Sequence, residues 1–193
     1  MLITVEGIDG SGKSAVCAAL EARFPHVVTT AEPTASWYGD AVRRSIEDDD
    51  ADPLAELFLY TADHADHLAA RIRPALEQGQ VVISDRYIDS RYAYQGTSLD
   101  GIVDAPLDFV IDLHEPWTRI PDHTIYLDVS PAIGSTRSGA TNKFEQAAFL
   151  EQVATNYEAI IDRYPDRFVR VDAEKPLNHV VDVVAATVDS WIG

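Results

Sequence analysis

Cysteine is almost missing from this 193-residue chain: Cys17 stands alone, which excludes an internal disulfide framework and any cysteine-rich metal site. Lysine is nearly as scarce. Only Lys13, Lys143 and Lys175 accompany the arginines, and 15 basic residues face 32 acidic ones for a formal charge of −17. Such a surface lacks the positive field that non-specific binding to a nucleic-acid polymer requires, and an anionic membrane repels it. No apolar run approaches the roughly 18 residues of a membrane span. The opening MLITVEGIDG has no basic stretch of the kind that begins a signal peptide. These absences predict a soluble, cytoplasmic protein with one domain over residues 1–193.

Apolar residues make up 46% of the chain, which with the periodicity described below excludes disorder as the reason for the acidity. Salt adaptation accounts for it instead. At multimolar salt the Debye length falls below about 3 Å, so repulsion between surface carboxylates is screened. The run Glu47-Asp48-Asp49-Asp50 reads as a solvated helix end.

Strand and helix patterns alternate from the start. The stretches 2–5 and 27–30 read as strands, and the runs at 81–84, 124–129 and 168–171 as strands buried on both faces of a parallel sheet. Helical spacing covers 13–23, 144–163 and 176–190. Asp52-Pro53 reads as an N-cap followed by proline in the first turn. From there Leu54, Leu57, Phe58, Ala62, Ala65, Leu68, Ala69, Ile72 and Leu76 recur at three- and four-residue spacing, predicting one long helix that stops near Gly79. This order predicts an α/β fold: a doubly wound, parallel five-stranded sheet flanked by helices.

Gly7-Ile8-Asp9-Gly10-Ser11-Gly12-Lys13-Ser14 fits G-x-x-x-x-G-K-[ST] between a strand and a helix. Glycines there let the backbone curl with its N–H groups around a phosphate, and the following helix adds its partial positive charge. Lys13 would reach the β- and γ-phosphates of ATP, and the Ser14 hydroxyl would ligate Mg²⁺. No N-K-x-D guanine motif occurs, and the chain is too short for a large motor ATPase. A small P-loop kinase acting on a nucleoside monophosphate, with a short lid, is the expectation.

Asp85-Arg86-Tyr87-Ile88-Asp89-Ser90-Arg91-Tyr92-Ala93-Tyr94-Gln95-Gly96 resembles the D-R-[YFH]-x-x-S-x-x-A-Y-Q-G signature of thymidylate kinases. Glu32-Pro33-Thr34, the Ala62-Asp63…His67 block, Pro121-Asp122, Lys143-Phe144-Glu145 and the stretch 167–173 follow that family's order, so the resemblance spans essentially the whole chain. It implies ATP-dependent phosphorylation of dTMP to dTDP with Mg²⁺, a homodimer packed through its long helices, and a lid at about 134–143. It also implies roles. Arg86 holds the acceptor phosphate, Asp85 organises the metal shell with Ser14, and Asp9 lies near the acceptor sugar and phosphate. Tyr60 stacks on the base and Tyr94 crowds the sugar C2′. Glu32, Pro33, His64, Arg91, Gln95 and Glu145 complete the acceptor side.

Three positions depart from the family pattern. Ala31 replaces an arginine, His64 replaces an arginine that addresses the base, and Arg91 stands where Ser, Thr or Asn is usual. The last two read as an exchange, with Arg91 donating to the base and His64 in a lesser role. The lid offers only Arg137, which is therefore expected to act as transition-state cation on the ATP side; Lys143 is expected in the same cleft. The departures leave two alternatives: a kinase of another pyrimidine deoxynucleotide, or a nucleotide-binding paralogue without turnover.

Overall fold

A computed structural model describes residues 1–139 and 142–193. Five strands, β1 (Leu2–Glu6), β2 (Val28–Ala31), β3 (Val82–Asp85), β4 (His123–Asp128) and β5 (Phe168–Asp172), form one sheet in the order β2-β3-β1-β4-β5. Every neighbouring pair is parallel, with Val5 opposite both Asp85 and Ile125. The five predicted runs are these strands, with ends shifted by at most one residue, although β5, at the sheet edge, exposes Arg170 and Asp172 and is not buried on both faces. β1 and most of β3 and β4 are buried, which explains apolar runs without alternation.

Helices fill the crossovers: α1 (Lys13–Arg23), α2 (Trp37–Ile46), α3 (Pro53–His67), α4 (Arg73–Glu77), α5 (Ile88–Ser98), α6 (Pro106–His114), α7 (Pro131–Ser138), α8 (Ala147–Arg163) and α9 (Leu177–Ile192). α1 packs on α9, while α5 packs on both α6 and α8. Asp52 caps α3 as expected, its side chain accepting from Ala55 N at 2.9 Å. The long helix predicted from there is interrupted by a π-helical turn, Leu68–Ile72, before α4. Pro74 supplies the reason: it has no N–H for the carbonyl four residues back, and a wider turn absorbs the mismatch. α8 begins at Ala147 rather than 144, because Lys143–Glu145 forms a separate 3-10 turn. Glu47 caps the end of α2, so the acidic run does follow a helix. Of the predicted lid, 134–138 belong to α7, while residues 140 and 141 lie outside the described residues.

Candidate active site

The site lies where ligands of open α/β sheets lie, outside the carboxyl ends of the strands. Three adjacent strands deliver it. β2 leads into Glu32-Pro33, β3 ends at Asp85 and leads into Arg86, and β1 runs into the glycine loop. In that loop Gly10 has φ 77° and touches α7 backbone to backbone. A Cβ on Gly10 would fall 2.1 Å from the Gly134 carbonyl oxygen, and one on Gly134 would fall 2.7 Å from that of Asp9. Lys13 is buried, and its Nζ crosses the loop to donate to the Ile8 carbonyl at 2.8 Å. Burial, then repulsion from Arg86, bring its pKa down to about 8.

Ser14 and Asp85 meet as predicted, Ser14 Oγ donating to Asp85 Oδ2 at 2.7 Å. Arg86 has φ 63°, a left-handed conformation costly for a residue with a Cβ. Its guanidinium turns from Asp85 to Asp9, pairing Nη2 with Asp9 Oδ1, and lies 4.9 Å over the Tyr94 ring. The Tyr94 hydroxyl donates to Asp9 Oδ2 and accepts from Asp9 N, both at 2.9 Å. Burial works against the Asp9 carboxylate, but Arg86 and Lys13 outweigh it and hold its pKa below the usual value. The same pairing keeps Arg86 charged at any working pH.

A cavity of ≈ 580 Å³ opens beside Arg86 and gathers Asp9, Glu32, Pro33, Tyr60, Arg91, Tyr94, Gln95 and Glu145, nearly all the predicted acceptor residues. At its floor the buried Glu32 accepts from Arg91 Nη2 at 2.5 Å and from His64 Nδ1 and His67 Nδ1 at 2.8 Å each. Burial opposes the ionisation of Glu32, but His64, Arg91 and the His67 N–H hold its pKa well below the carboxylate range. Arg91 Nη1 donates to the Tyr60 carbonyl, and the guanidinium lies 5.4 Å over the Tyr60 ring.

His64 corrects an expectation. It is completely buried behind this floor and does not line the cavity. Its Nε2 faces the Thr118 hydroxyl at 2.7 Å, so both ring nitrogens are occupied, and burial lowers its pKa and keeps it neutral. A carboxylate only accepts, so the His64 proton resides on Nδ1 and Thr118 donates to Nε2. Tyr87, Ser90, Ile46, Asn142 and Phe144 also line the cavity and were not singled out from sequence. Tyr87, Ser90 and Phe144 sat inside recognised motifs, whereas Ile46 and Asn142 carry no local signal.

Two further cavities continue the first. One of ≈ 890 Å³ runs along Gly10, Gly12, Lys13, Ser14, Asp85 and Arg137, and shares Asp9, Glu32 and Arg86 with the acceptor-side cavity. The other, of ≈ 1040 Å³, leads past Arg137 to Ala173, Pro176 and Leu177. Arg137 therefore stands at the far end of the phosphate cavity, and its Nη1 donates to the Ala173 carbonyl at 2.8 Å. Lys143 is not in the cleft. It turns away to the carbonyls of Ser45 and Asp48 and to Glu56 at 3.2 Å, because the carbonyls at the C-terminus of α2 and the buried Glu56 carboxylate converge there.

A glycine loop at the end of β1, a serine–aspartate pair beside it and two cavities meeting at one arginine define a P-loop phosphotransfer protein. A profile of the family described as thymidylate kinase matches residues 5–184. A Natronomonas pharaonis protein is 59% identical over 194 residues, covering 100% of this chain and 99% of its own length. One from Halobacterium salinarum is 58% identical, covering 98% of this chain and 96% of itself. One from Methanococcoides burtonii is 46% identical, covering 99% and 97%. All three carry the name "Probable thymidylate kinase". The chain belongs to the thymidylate kinase family.

Proposed function

We propose that this protein transfers the γ-phosphoryl group of ATP to the 5′-phosphate of dTMP. The observation that carries the reading is the shared wall of the two cavities, where Arg86 and Asp9 face both. A donor phosphate in the glycine loop and an acceptor phosphate on Arg86 would meet there in line. Lys13 and Arg86 offset the charge that spreads over the transferring group, and the loop N–H groups orient the donor. An acceptor phosphate oxygen then displaces ADP. Ser14 and Asp85 fit a Mg²⁺ ion, which typically takes one or two protein oxygens and leaves the rest to phosphates and water. When bound, the ion neutralises charge on the donor phosphates.

The acceptor base is read by donors. Arg91 Nε and Gln95 Nε2 are buried at that cavity without hydrogen-bond partners among the described residues. Two orphan donors favour a base edge rich in carbonyls, as in thymine, over the amino group of cytosine. Tyr60 supplies a flat face and Tyr94 a wall against the sugar. Arg137 is assigned to the donor nucleotide, given its bond to Ala173. Exposure of Trp37 at 74% on α2 and Phe58 at 52% on α3 supports a homodimer through those helices, and light scattering tests it. The charge of −17 and the halophilic relatives support a cytoplasmic enzyme that works in concentrated salt.

The test is ADP release with dTMP, dUMP, dCMP and thymidine in molar KCl. Preference for dTMP is expected. Turnover with dCMP above dTMP would favour the other pyrimidine reading, and nucleotide binding without turnover would sink the assignment.

A further inference from the structure

Glu6 ends β1 beneath the reacting centre and is absent from every role described so far. Its buried carboxylate accepts three hydrogen bonds: Tyr87 N–H to Oε1 at 2.8 Å, Ser90 O–H to Oε2 at 2.5 Å and Tyr157 O–H to Oε2 at 3.0 Å. Two of these donors, Tyr87 and Ser90, follow Arg86 within four residues of chain. Arg86 Nη1 in turn donates to Ser90 Oγ at 3.0 Å. The left-handed φ of Arg86 persists only if its surroundings over-determine it. They do: Arg86 N donates to the Val5 carbonyl at 3.0 Å, Ser84 Oγ donates to the Arg86 carbonyl at 2.6 Å, and Glu6 fixes residues 87 and 90.

We propose that Glu6 is a positioning residue whose ionised form aims Arg86 at the acceptor phosphate and whose protonated form releases it. This rests on Arg86 being the acceptor-phosphate cation. The chemistry lies in the hydroxyl of Ser90. An ionised carboxylate only accepts, so Ser90 sends its proton to Glu6 and turns its lone pairs to the Arg86 N–H. A protonated Glu6 carries a donor of its own, and the oxygens in reach are those of Ser90 and Tyr157. Ser90 then accepts from Glu6 and loses its fixed orientation toward Arg86.

The surroundings make that proton available near neutrality. Glu6 faces Asp89 and Ser90 of α5, Tyr157 of α8, Lys13 and Cys17 of α1, and the guanidinium groups of Arg86 and Arg167. Burial, and next the Asp89 carboxylate, push its pKa up to about 7, against the opposing pull of Ser90, Arg86 and Tyr157.

Glu6→Gln is isosteric with the protonated state, since its amide oxygen still accepts from Tyr87 and its NH₂ donates. The readout is the ratio of wild-type to E6Q kcat/KM for dTMP, with ATP saturating and KCl molar. The substrate's own phosphate ionisation cancels in that ratio. A rise of about tenfold is expected between about pH 6 and pH 8, following the ionised fraction of a group titrating near 7. Tyr157→Phe removes one hydrogen bond that favours the ionised form, so its activity profile should shift to higher pH. A ratio constant with pH, or a Y157F profile superimposable on wild type, overturns the proposal. If E6Q does not fold, the Y157F midpoint decides alone. Arg86→Ala is measured alongside: an unchanged acceptor KM there overturns the role of Arg86, whereas a flat ratio with R86A impaired overturns only that of Glu6.

Discussion

Replacing Arg91 by serine tests whether the floor of the acceptor cavity is held by a buried ion pair. Arg91 is 2% exposed, and its Nη2 lies 2.5 Å from a Glu32 carboxylate that is 5% exposed. Removing one partner of a buried pair strands the other, at a cost of about 3–5 kcal/mol. For a domain of this size each kcal/mol moves the melting temperature by roughly 2–4 °C, so R91S should melt roughly 6–20 °C lower. The sign with pH follows from Glu32. Its folded pKa lies below the unfolded value, so its contribution is present above the unfolded value and lost as pH falls through the folded one.

In R91S the remaining partners of Glu32 are His64 and His67, both within 2.8 Å. Burial keeps His64 neutral while Arg91 is present. Without the guanidinium, a protonated imidazole becomes the cheapest replacement cation, and protons are more available at low pH. The R91S deficit should therefore shrink between about pH 8 and pH 5.5. Adding Glu32→Gln to R91S removes the stranded charge and should recover on the order of 1–3 kcal/mol. Differential scanning calorimetry in molar KCl measures all three. A deficit below about 1 kcal/mol that is equal at both pH values refutes the reasoning.

The remaining expectations are shorter. Arg137→Ala should raise the KM for ATP about tenfold with a smaller fall in kcat, since its guanidinium sits at the donor end; a loss near 10³ in kcat at saturating ATP would return it to the transition state. Lys143→Met unties the Lys143–Phe144–Glu145 turn from α2 and strands the buried Glu56, costing about 1–3 kcal/mol by thermal melting and raising the dTMP KM through the loosened Phe144 wall. Glu6→Gln should be more stable than wild type above about pH 7, on the order of 1–3 kcal/mol, with the gain fading toward pH 4.5. The sign follows because a carboxylate with a raised folded pKa loses stability as pH rises between its unfolded and folded values. Denaturant titrations at three pH values check it.

The glycine loop was legible because its chemistry sits in eight consecutive residues. The acceptor cavity was legible only through the signature, since Tyr60, Glu32 and Arg91 come from separate elements. Helix α5 had no readable period: ten of its eleven residues are buried, polar ones included, so no face stands out. Helix α2 buries Gly39, Val42 and Ser45 and exposes Trp37, the reverse of the usual pattern. His64 shares a helix with Tyr60 at i, i+4, yet its partners Glu32 and Thr118 arrive from distant segments. Spacing placed it on the right side of the helix but could not show that both nitrogens were already taken. Lys143 misled for a similar reason, because the carbonyls that attract it belong to a helix end roughly one hundred residues away.

The net charge of −17 conceals a sorting of charges by depth. Arg86, Arg91, Arg167 and Lys143 each meet a carboxylate, namely Asp9, Glu32, Asp89 and Glu56, and three of those carboxylates are almost wholly buried. Salt screens these interior pairs far less than it screens surface charges. Multimolar salt can therefore relieve repulsion on the acidic surface while leaving the cleft intact. The pairing also means that the cleft presents no free excess of positive charge. Attraction for a phosphate must come from Lys13, the loop N–H groups and the start of α1, together with displacement of Asp9 from Arg86. A phosphate dianion gains more from that exchange than a monovalent salt anion does, because its charge and oxygen count match the guanidinium better. In concentrated salt, an arginine already occupied by an internal carboxylate thus favours the substrate over the surrounding chloride.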